Sequence, residues 1–252
     1  MKLGICSVTF RHKTVEEVLE ITAKAELDSV EWGGDVHVPP DDLDHARKVA
    51  EKTKSYGMEV ASYGSYYRVG DRNDYPFEKI VETASALGAT KIRVWPGGLG
   101  SNEADQIYRQ QVIQDALRIA EIAEKEGISI HLEYHNGTLT DTKESARQLM
   151  EEISHDNVFL YWQPMNQASV EERLASIEAV RRWISNVHVF HWETWEKRYA
   201  LAEGEQEWLA YLRKIVEDKR DRHLLMEFVK KDDEQQFLRD AKVLKDWIDN
   251  II

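Results

Sequence analysis

Short runs rich in β-branched and aromatic residues alternate with amphipathic segments along the whole 252-residue chain. The runs begin at Leu3, Ser29, Met58, Lys91, Ile128, Val158, Val187 and Leu224. Strict alternation of strands and helices predicts a parallel sheet, because each parallel pair of strands needs a crossover connection. Eight such units in about 250 residues favour an α/β fold of the closed (β/α)8 type over an open doubly wound sheet.

Helix start and stop signals support this reading. Capping boxes predict helix starts at Thr14 and Ser169, each followed by a glutamate three residues later. Helix ends are predicted at Gly57, Gly88 and Gly127. No G-x-G-x-x-G loop follows a strand-like run, and no linker or low-complexity stretch divides the chain. We therefore expect one TIM barrel domain spanning residues 1–252.

The net charge and the cysteine content indicate which classes of partner and which cellular compartment to expect. The formal net charge is −13, which disfavours nucleic acid and anionic membrane surfaces as partners. The single cysteine, Cys6, lies in an apolar run, so it is expected to pack in the core, and a cytoplasmic location is predicted. The segment from Leu3 to Val8 reads as a strand rather than a signal peptide, and no run reaches membrane-spanning length.

Polar residues close four of the strand-like runs. They are Glu133, Gln163, His188 and Glu227. In a barrel all four positions reach one rim, where carboxylate, amide and imidazole groups suit a divalent cation. The ion could be Mn²⁺, Mg²⁺, Co²⁺ or Zn²⁺. The same rim is where barrel enzymes carry their chemistry.

Strand alternation predicts which of these side chains face the barrel interior. In the run that ends at Glu133, the apolar neighbours should face the helices, so His131 and Glu133 should point inward. The same argument turns His188 and Glu227 inward and Phe228 outward. Charged groups in such a place need a cation or an ion pair. The alternative is a buried hydrogen-bond network without a metal.

Irregular, aromatic segments follow several of the runs. The least regular stretches are 64–74 and 192–205, and both are expected to be loops on the active face. Trp32 and Trp95 lie at strand ends. Aromatic rings with a few polar groups suit a small polyhydroxylated ligand, although they could simply seal the barrel.

The residues resemble the xylose isomerase-like barrels, and within them the sugar phosphate isomerase/epimerase group. The resemblance rests on the order of the four strand-end residues and on segments 31–37, 131–138, 187–189 and 226–230. It implies a metal-dependent sugar isomerase or epimerase of carbohydrate metabolism. Glu133 and Glu227 would act as base and acid, and the metal held with Gln163 and His188 would stabilise an enediolate.

The resemblance also implies contacts to a small carbohydrate substrate, which could carry a phosphate. The candidate substrate-binding residues are Trp32, His37, Arg68, Trp95, His135, Asn166, His191 and Lys230. Arg68 and Lys230 are the candidates for a phosphate group. Barrels of this kind often associate, so a homo-oligomer stays open.

Three positions depart from the family pattern. Gln163 stands where most relatives have aspartate, so the site loses one negative charge and the metal should bind more weakly. Asn166 and Thr194 replace the histidine and arginine of ketose 3-epimerases. Two alternatives therefore remain: a keto-inositol dehydratase-like lyase, and a catalytically inert sugar-binding barrel. A nuclease is disfavoured, because Tyr63 and Trp95 end the strands where extra histidine ligands would stand.

Overall fold

The computed structural model describes residues 1–194 and 196–251 of the chain. Eight parallel strands form a closed barrel in which each strand pairs with the next and the last pairs with the first. The strands are β1 Lys2–Cys6, β2 Ser29–Gly33, β3 Glu59–Arg68, β4 Lys91–Trp95, β5 Ser129–Glu133, β6 Val158–Trp162, β7 Ile184–Val189 and β8 His223–Met226. The predicted (β/α)8 TIM barrel is confirmed.

A helix follows every strand in the described part of the chain. The helices are α1 Val15–Lys24, α2 Leu43–Ser55, α3 Phe77–Leu87, α4 Gln106–Lys125, α5 Lys143–Ile153, α6 Val170–Val180, α7 Glu205–Val216 and α8 Glu234–Ile251. Both predicted capping boxes form, at Thr14 and at Ser169. The predicted glycine stops also hold, because all three glycines adopt a positive φ just after a helix. Within the described residues, no helix combines the length and apolar character needed to cross a membrane.

Two apolar clusters hold the barrel together. The larger one fills the layer between strands and helices and includes Ile130 and Leu132, as the alternation of β5 predicts. A smaller cluster lies on the other side of the sheet and contains Cys6, Val8, Ala61, Tyr161 and Leu225. Alternating side chains of one strand thus enter different clusters, which directs the intervening polar residues into the barrel.

Two sequence expectations about the active face need correction. Strand β3 continues through Arg68, with an irregular register between Gly64 and Arg68, so part of the predicted loop is strand. Phe228 lies beyond β8 at φ +50° and packs against the smaller, interior cluster rather than outward. The left-handed backbone breaks the alternation on which the prediction relied. Residue 195 of the other predicted loop lies outside the described residues.

Candidate active site

The structure brings the four predicted strand-end residues together inside the barrel rim. Glu133 ends β5, Gln163 and Glu227 follow β6 and β8, and His188 lies one residue before the end of β7. From Nδ1 of His188, the nearest oxygens of Gln163, Glu133 and Glu227 lie at 2.9, 3.6 and 3.6 Å. All four side chains are buried.

The arrangement fits a divalent cation. One ligand atom from each of Glu133, His188 and Glu227 lies within 4.8 Å of the others, and Gln163 adds an amide oxygen. Two carboxylates balance the charge of such an ion, and oxygen with imidazole suits Mn²⁺, Co²⁺ and Zn²⁺ as well as Mg²⁺. On the other side of the imidazole, Nε2 has no hydrogen-bond partner among the described residues and faces Oε1 of Glu31 at 3.5 Å. A carboxylate behind a metal-bound histidine is a common way to orient it.

A buried ion-pair network holds the carboxylates in place. Arg93, on β4, donates from Nε to Glu31 at 2.8 Å and from Nη1 to Glu133. Ser62 donates to the second oxygen of Glu31 at 2.6 Å. The guanidinium is only 2% exposed, so its charge acts with little screening by water. Glu133 is therefore left with Oε1 to face His188, because Oε2 is engaged by Arg93.

The pKa values of Glu133 and Glu227 are shifted in opposite directions. Burial opposes the charged form of Glu133, but the charge of Arg93 and contacts with His188 outweigh it and lower its pKa. Burial raises the pKa of Glu227, and the nearby charge of Glu133 adds to that rise. Burial alone would lower the pKa of His188, yet Cys6 and the carboxylates of Glu227 and Glu133 raise this pKa well above its usual value. The site therefore attracts positive charge.

Trp95 connects the cluster of Glu133, His188 and Glu227, called here the carboxylate centre, to the rim of the barrel. Its Nε1 donates to Oε2 of Glu133 at 2.5 Å. The ring of His135 lies 5.3 Å from the indole ring, and the guanidinium carbon of Arg68 lies 4.2 Å from it. Nδ1 of His135 is 2.6 Å from the backbone oxygen of Asn136, which can only accept, so this nitrogen carries the proton. In the neutral ring Nε2 is then free to accept a proton.

Two aromatic side chains with left-handed backbones cover the interior. Tyr66 has φ +59° and Phe228 has φ +50°, and both pack against the interior cluster. Tyr66 lies edge-on to Trp95 at 5.4 Å, while the Arg93 guanidinium lies 5.3 Å from its ring centre. Its hydroxyl accepts from Arg11 at 3.0 Å. Strained backbone at such positions is typical of functional sites.

Comparison with known proteins places this barrel in a family. The model of the xylose isomerase-like TIM barrel family matches residues 19–247. The chain belongs to the xylose isomerase-like TIM barrel family. This is an enzyme superfamily, and the resemblance inferred from the strand-end residues is confirmed.

Individual relatives within the xylose isomerase-like family differ in their named activities. A 3-dehydroshikimate dehydratase of Bacillus anthracis is 25% identical over 205 residues, covering 75% of this chain and 71% of the relative. The crystal structure of a probable 3-DHS dehydratase from Bacillus anthracis, AsbF, superimposes with a TM-score of 0.82 at 20% identity, over 97% of this chain and 99% of the other. An L-ribulose 3-epimerase gives a TM-score of 0.76 at 18% identity, over 97% and 93% of the two chains.

A further structure with the same fold was solved with a metal. The protein IOLI, solved with a binding zinc atom, gives a TM-score of 0.76 at 19% identity over 100% of this chain and 99% of the other. Because these structures are only 18–20% identical to this chain, the superpositions show a shared fold and no more. The named dehydratase leaves the predicted isomerase type unconfirmed for this chain.

Two residues predicted to contact substrate lie elsewhere in this xylose isomerase-like barrel. Trp32 is fully buried and donates from Nε1 to Thr53 of α2 at 3.1 Å, so it seals the helix layer. His37 is also buried, with Nε2 3.0 Å from the backbone oxygen of Lys13 and its ring 5.8 Å from that of Trp32. The outward phase of β2 carries Trp32 away from the barrel interior. The substrate contacts of Trp32 and His37 stay predictions.

The remaining predicted contacts lie on later loops. Lys230 donates to Glu203 at 2.9 Å and is thus engaged in an ion pair. The ring of His191 packs against Gly204, where an added Cβ would lie 2.7 Å from Nδ1. Asn166 accepts from Arg173 at 3.2 Å through its backbone oxygen and is half-buried. Of the predicted set, only Trp95, His135 and Arg68 are linked to the carboxylate centre by the contacts described above.

The sequence reasoning missed Arg93, and it used Glu31 only as part of a family motif. A signal was present for both. In Lys91–Trp95 the apolar Ile92 and Val94 flank the arginine, so alternation turns it inward, and Glu31 stands between two apolar residues in the same way. Buried opposite charges on neighbouring strands are the simplest way to satisfy each other.

Proposed function

We propose that this chain is a divalent-metal-dependent enzyme that removes a proton next to the ketone carbonyl of a small polyhydroxylated substrate and then eliminates water. The supporting observation is a proton acceptor next to a cluster of metal-ligand groups. Nδ1 of His135 is bonded to the backbone oxygen of Asn136, which leaves Nε2 as the acceptor, and the ring lies 5.3 Å from that of Trp95, whose Nε1 donates to Glu133.

The cation would be held by Glu133, Gln163, His188 and Glu227. Mn²⁺, Mg²⁺, Co²⁺ and Zn²⁺ are all compatible with this donor set. When bound, such an ion polarises a carbonyl oxygen and makes the neighbouring carbon more acidic. Arg93 and Trp95 keep Glu133 in its charged state and fix the direction of Oε1.

His135 would move the proton. Its Nε2 takes the proton as the C–H bond breaks, and that electron pair forms the new double bond. The C–O bond on the next carbon breaks, and the hydroxyl leaves as water with the proton that His135 has taken. The half-buried aromatic roof of Tyr66 and Phe228 would limit access of bulk water.

The predicted isomerase or epimerase remains a second candidate, and one observation favours it. Glu133 and Glu227 lie in one cluster with pKa values shifted in opposite directions. They would then act as base and acid, and the proton would return to the same carbon or its neighbour. Asn166 and Thr194, which replace the histidine and arginine of ketose 3-epimerases, argue against that particular activity.

The two candidates are distinguished in heavy water. The protein is incubated with each divalent ion and with 3-dehydroshikimate, keto-inositols or ketoses, and products are followed by NMR spectroscopy. Loss of water supports the lyase, whereas solvent deuterium at a new stereocentre or a shifted carbonyl supports the isomerase. His135→Asn should abolish elimination and leave isomerisation intact. Absence of both reactions, with sugar binding retained, would indicate an inert barrel.

A further inference from the structure

Arg68 is fixed beside the catalytic centre by contacts to two different neighbours. Asn73 accepts from its backbone nitrogen at 2.8 Å and donates to its backbone oxygen at 2.9 Å. Its guanidinium carbon lies 4.2 Å from the centre of the Trp95 ring. The same indole donates to Glu133, so one ring separates this cation from the proposed catalytic centre.

The guanidinium of Arg68 has unused hydrogen-bonding capacity. In the described chain, no carboxylate lies within 4.0 Å of its nitrogens, and its hydrogen bond is a long one, 3.4 Å from Nη1 to the oxygen of Gly97. By contrast, Arg11, Arg93 and Arg198 all form ion pairs. A guanidinium offers five N–H groups in a planar fork that matches carboxylate and phosphate oxygens.

A cavity of about 290 Å³ opens next to Arg68 on the active face. Its walls include Tyr66, Tyr67, Arg72 and Asp74 as well as Arg68. Tyr66 also roofs the carboxylate centre, so the cavity adjoins the barrel mouth. The lining also contains two carboxylates, Asp35 and Asp74, and Asp35 is ion-paired with Arg11. Among the described residues, Arg68 is thus a cation without an ion pair at the edge of this cavity.

We infer that Arg68 binds an anionic oxyacid group of the substrate, a carboxylate or a phosphate. This inference rests on the proposed function and specifies its substrate class as polyhydroxylated ketones that carry a negative charge. The ketone end lies at His188 and the carboxylates, and the anionic end lies across Trp95 at the guanidinium. Stacking on the indole restricts the guanidinium, so little side-chain entropy is lost when the anion binds.

Binding is tested without turnover, by isothermal titration with inorganic phosphate, shikimate and neutral myo-inositol. Arg68→Gln should weaken the binding of the anionic probe by about tenfold or more, as expected when one charge-assisted contact is lost. Arg213→Gln is the matched control, because Arg213 also lacks an ion pair in the described structure but is exposed on α7. Binding of phosphate but not shikimate identifies a phosphate site, and the reverse identifies a carboxylate site.

Arg68→Lys separates the contribution of the charge to anion affinity from that of the planar guanidinium. Partial binding by this conservative variant would also show that the loss in Arg68→Gln is not a folding defect. It should retain part of the affinity, because it keeps the charge but lacks the planar fork. With an anionic substrate, Arg68→Gln should raise KM by about tenfold and leave kcat nearly unchanged, since the contact is made equally in ground and transition states. Equal anion affinity in the wild type and Arg68→Gln, or no anion binding by the wild type, overturns the inference. Turnover of neutral ketones without anion binding would leave the proposed function standing alone, whereas Arg68-dependent anion binding without turnover would leave only the subsite.

Discussion

Arg93 and Glu133 form an ion pair inside the barrel, with side chains that are only 2% and 4% exposed. Removing two charges from water is costly, and the pair is stable here because Glu31 and Trp95 complete its hydrogen bonds. The proposed metal ligand is thus part of a larger charge network. Changes at Arg93 should therefore affect stability and catalysis together.

Arg93→Met should destabilise the protein by about 3–5 kcal/mol, because it leaves two buried carboxylates without their cation. Arg147→Met is the control, since Arg147 pairs with Glu151 on the surface of α5 at 2.9 Å with both side chains well exposed. That change should cost at most about 1 kcal/mol. Urea unfolding of both variants measures the difference. Equal losses would show that the buried network is not stabilising.

Glu133→Gln should reduce proton exchange into substrate by about 100-fold or more, because the metal loses an anionic ligand and the centre loses a charge. The fold should survive, since the amide oxygen can still accept from Arg93 and Trp95. Glu144→Gln, an exposed change in the first turn of α5, should leave exchange unaltered. Circular dichroism checks the fold, and retained exchange in Glu133→Gln would remove this residue from the mechanism.

Gln163→Asp should increase metal affinity by about tenfold or more, because it adds a negatively charged oxygen at the ligand position. The metal-free variant should melt at a lower temperature than the wild type, since a third carboxylate then joins Glu133 and Glu227. Gln167→Asp, on the exposed part of the same loop, is the control. Titration of Mn²⁺ and Zn²⁺ by calorimetry, with and without a chelator, measures both effects. Unchanged affinity would place the metal away from Gln163.

Acid stability should depend on Glu31. Burial favours its neutral form, but the charge of Arg93, the nearby imidazole of His188 and the hydrogen bond from Ser62 outweigh burial and lower the pKa from 4.5 to about 2. The folded carboxylate therefore resists protonation, and its stabilising effect is complete above pH 4.5 and lost as the pH falls towards 2. The loss is on the order of 3 kcal/mol. Urea unfolding of the metal-free protein between pH 5 and 2 should reveal it.

The comparison for this titration is Glu31→Gln. Its unfolding free energy should be lower than that of the wild type at pH 5 and should fall less steeply with acid, because the titrating group has gone. A slope identical to that of the wild type would assign the acid sensitivity to other carboxylates. The measurement needs a chelator throughout, since a bound metal would add its own dependence on pH.

The sequence was sufficient for the barrel because its signals are local and repeated. Capping boxes, glycine stops and alternating strands each depend on a few neighbouring residues, and the closed barrel follows from their order. Strand parity also brought Glu133, His188 and Glu227 to one place correctly. These predictions needed only the period of a strand and the rule that parallel strands end at one rim.

The surroundings of the centre could not be predicted in the same way. The pairing of Arg93 with Glu133 depends on the side-chain reach between neighbouring strands, which the order of residues does not specify. Phe228 was misplaced because a positive φ interrupts the alternation, and nothing in its residue type signals that conformation. The outward orientation of Trp32 was not anticipated, because its proximity to a strand end was weighted above the phase of β2.

The left-handed backbones of Tyr66 and Phe228 have a consequence for engineering this barrel. Glycine would relax either position by about 1–2 kcal/mol, so a search for thermostable variants guided by backbone geometry alone would select it. Each such gain would remove an aromatic ring that packs against the interior cluster, and at Tyr66 also the ring beside the Arg93 guanidinium. Positions 66 and 228 should therefore be left unchanged in any stabilisation programme that aims to keep activity.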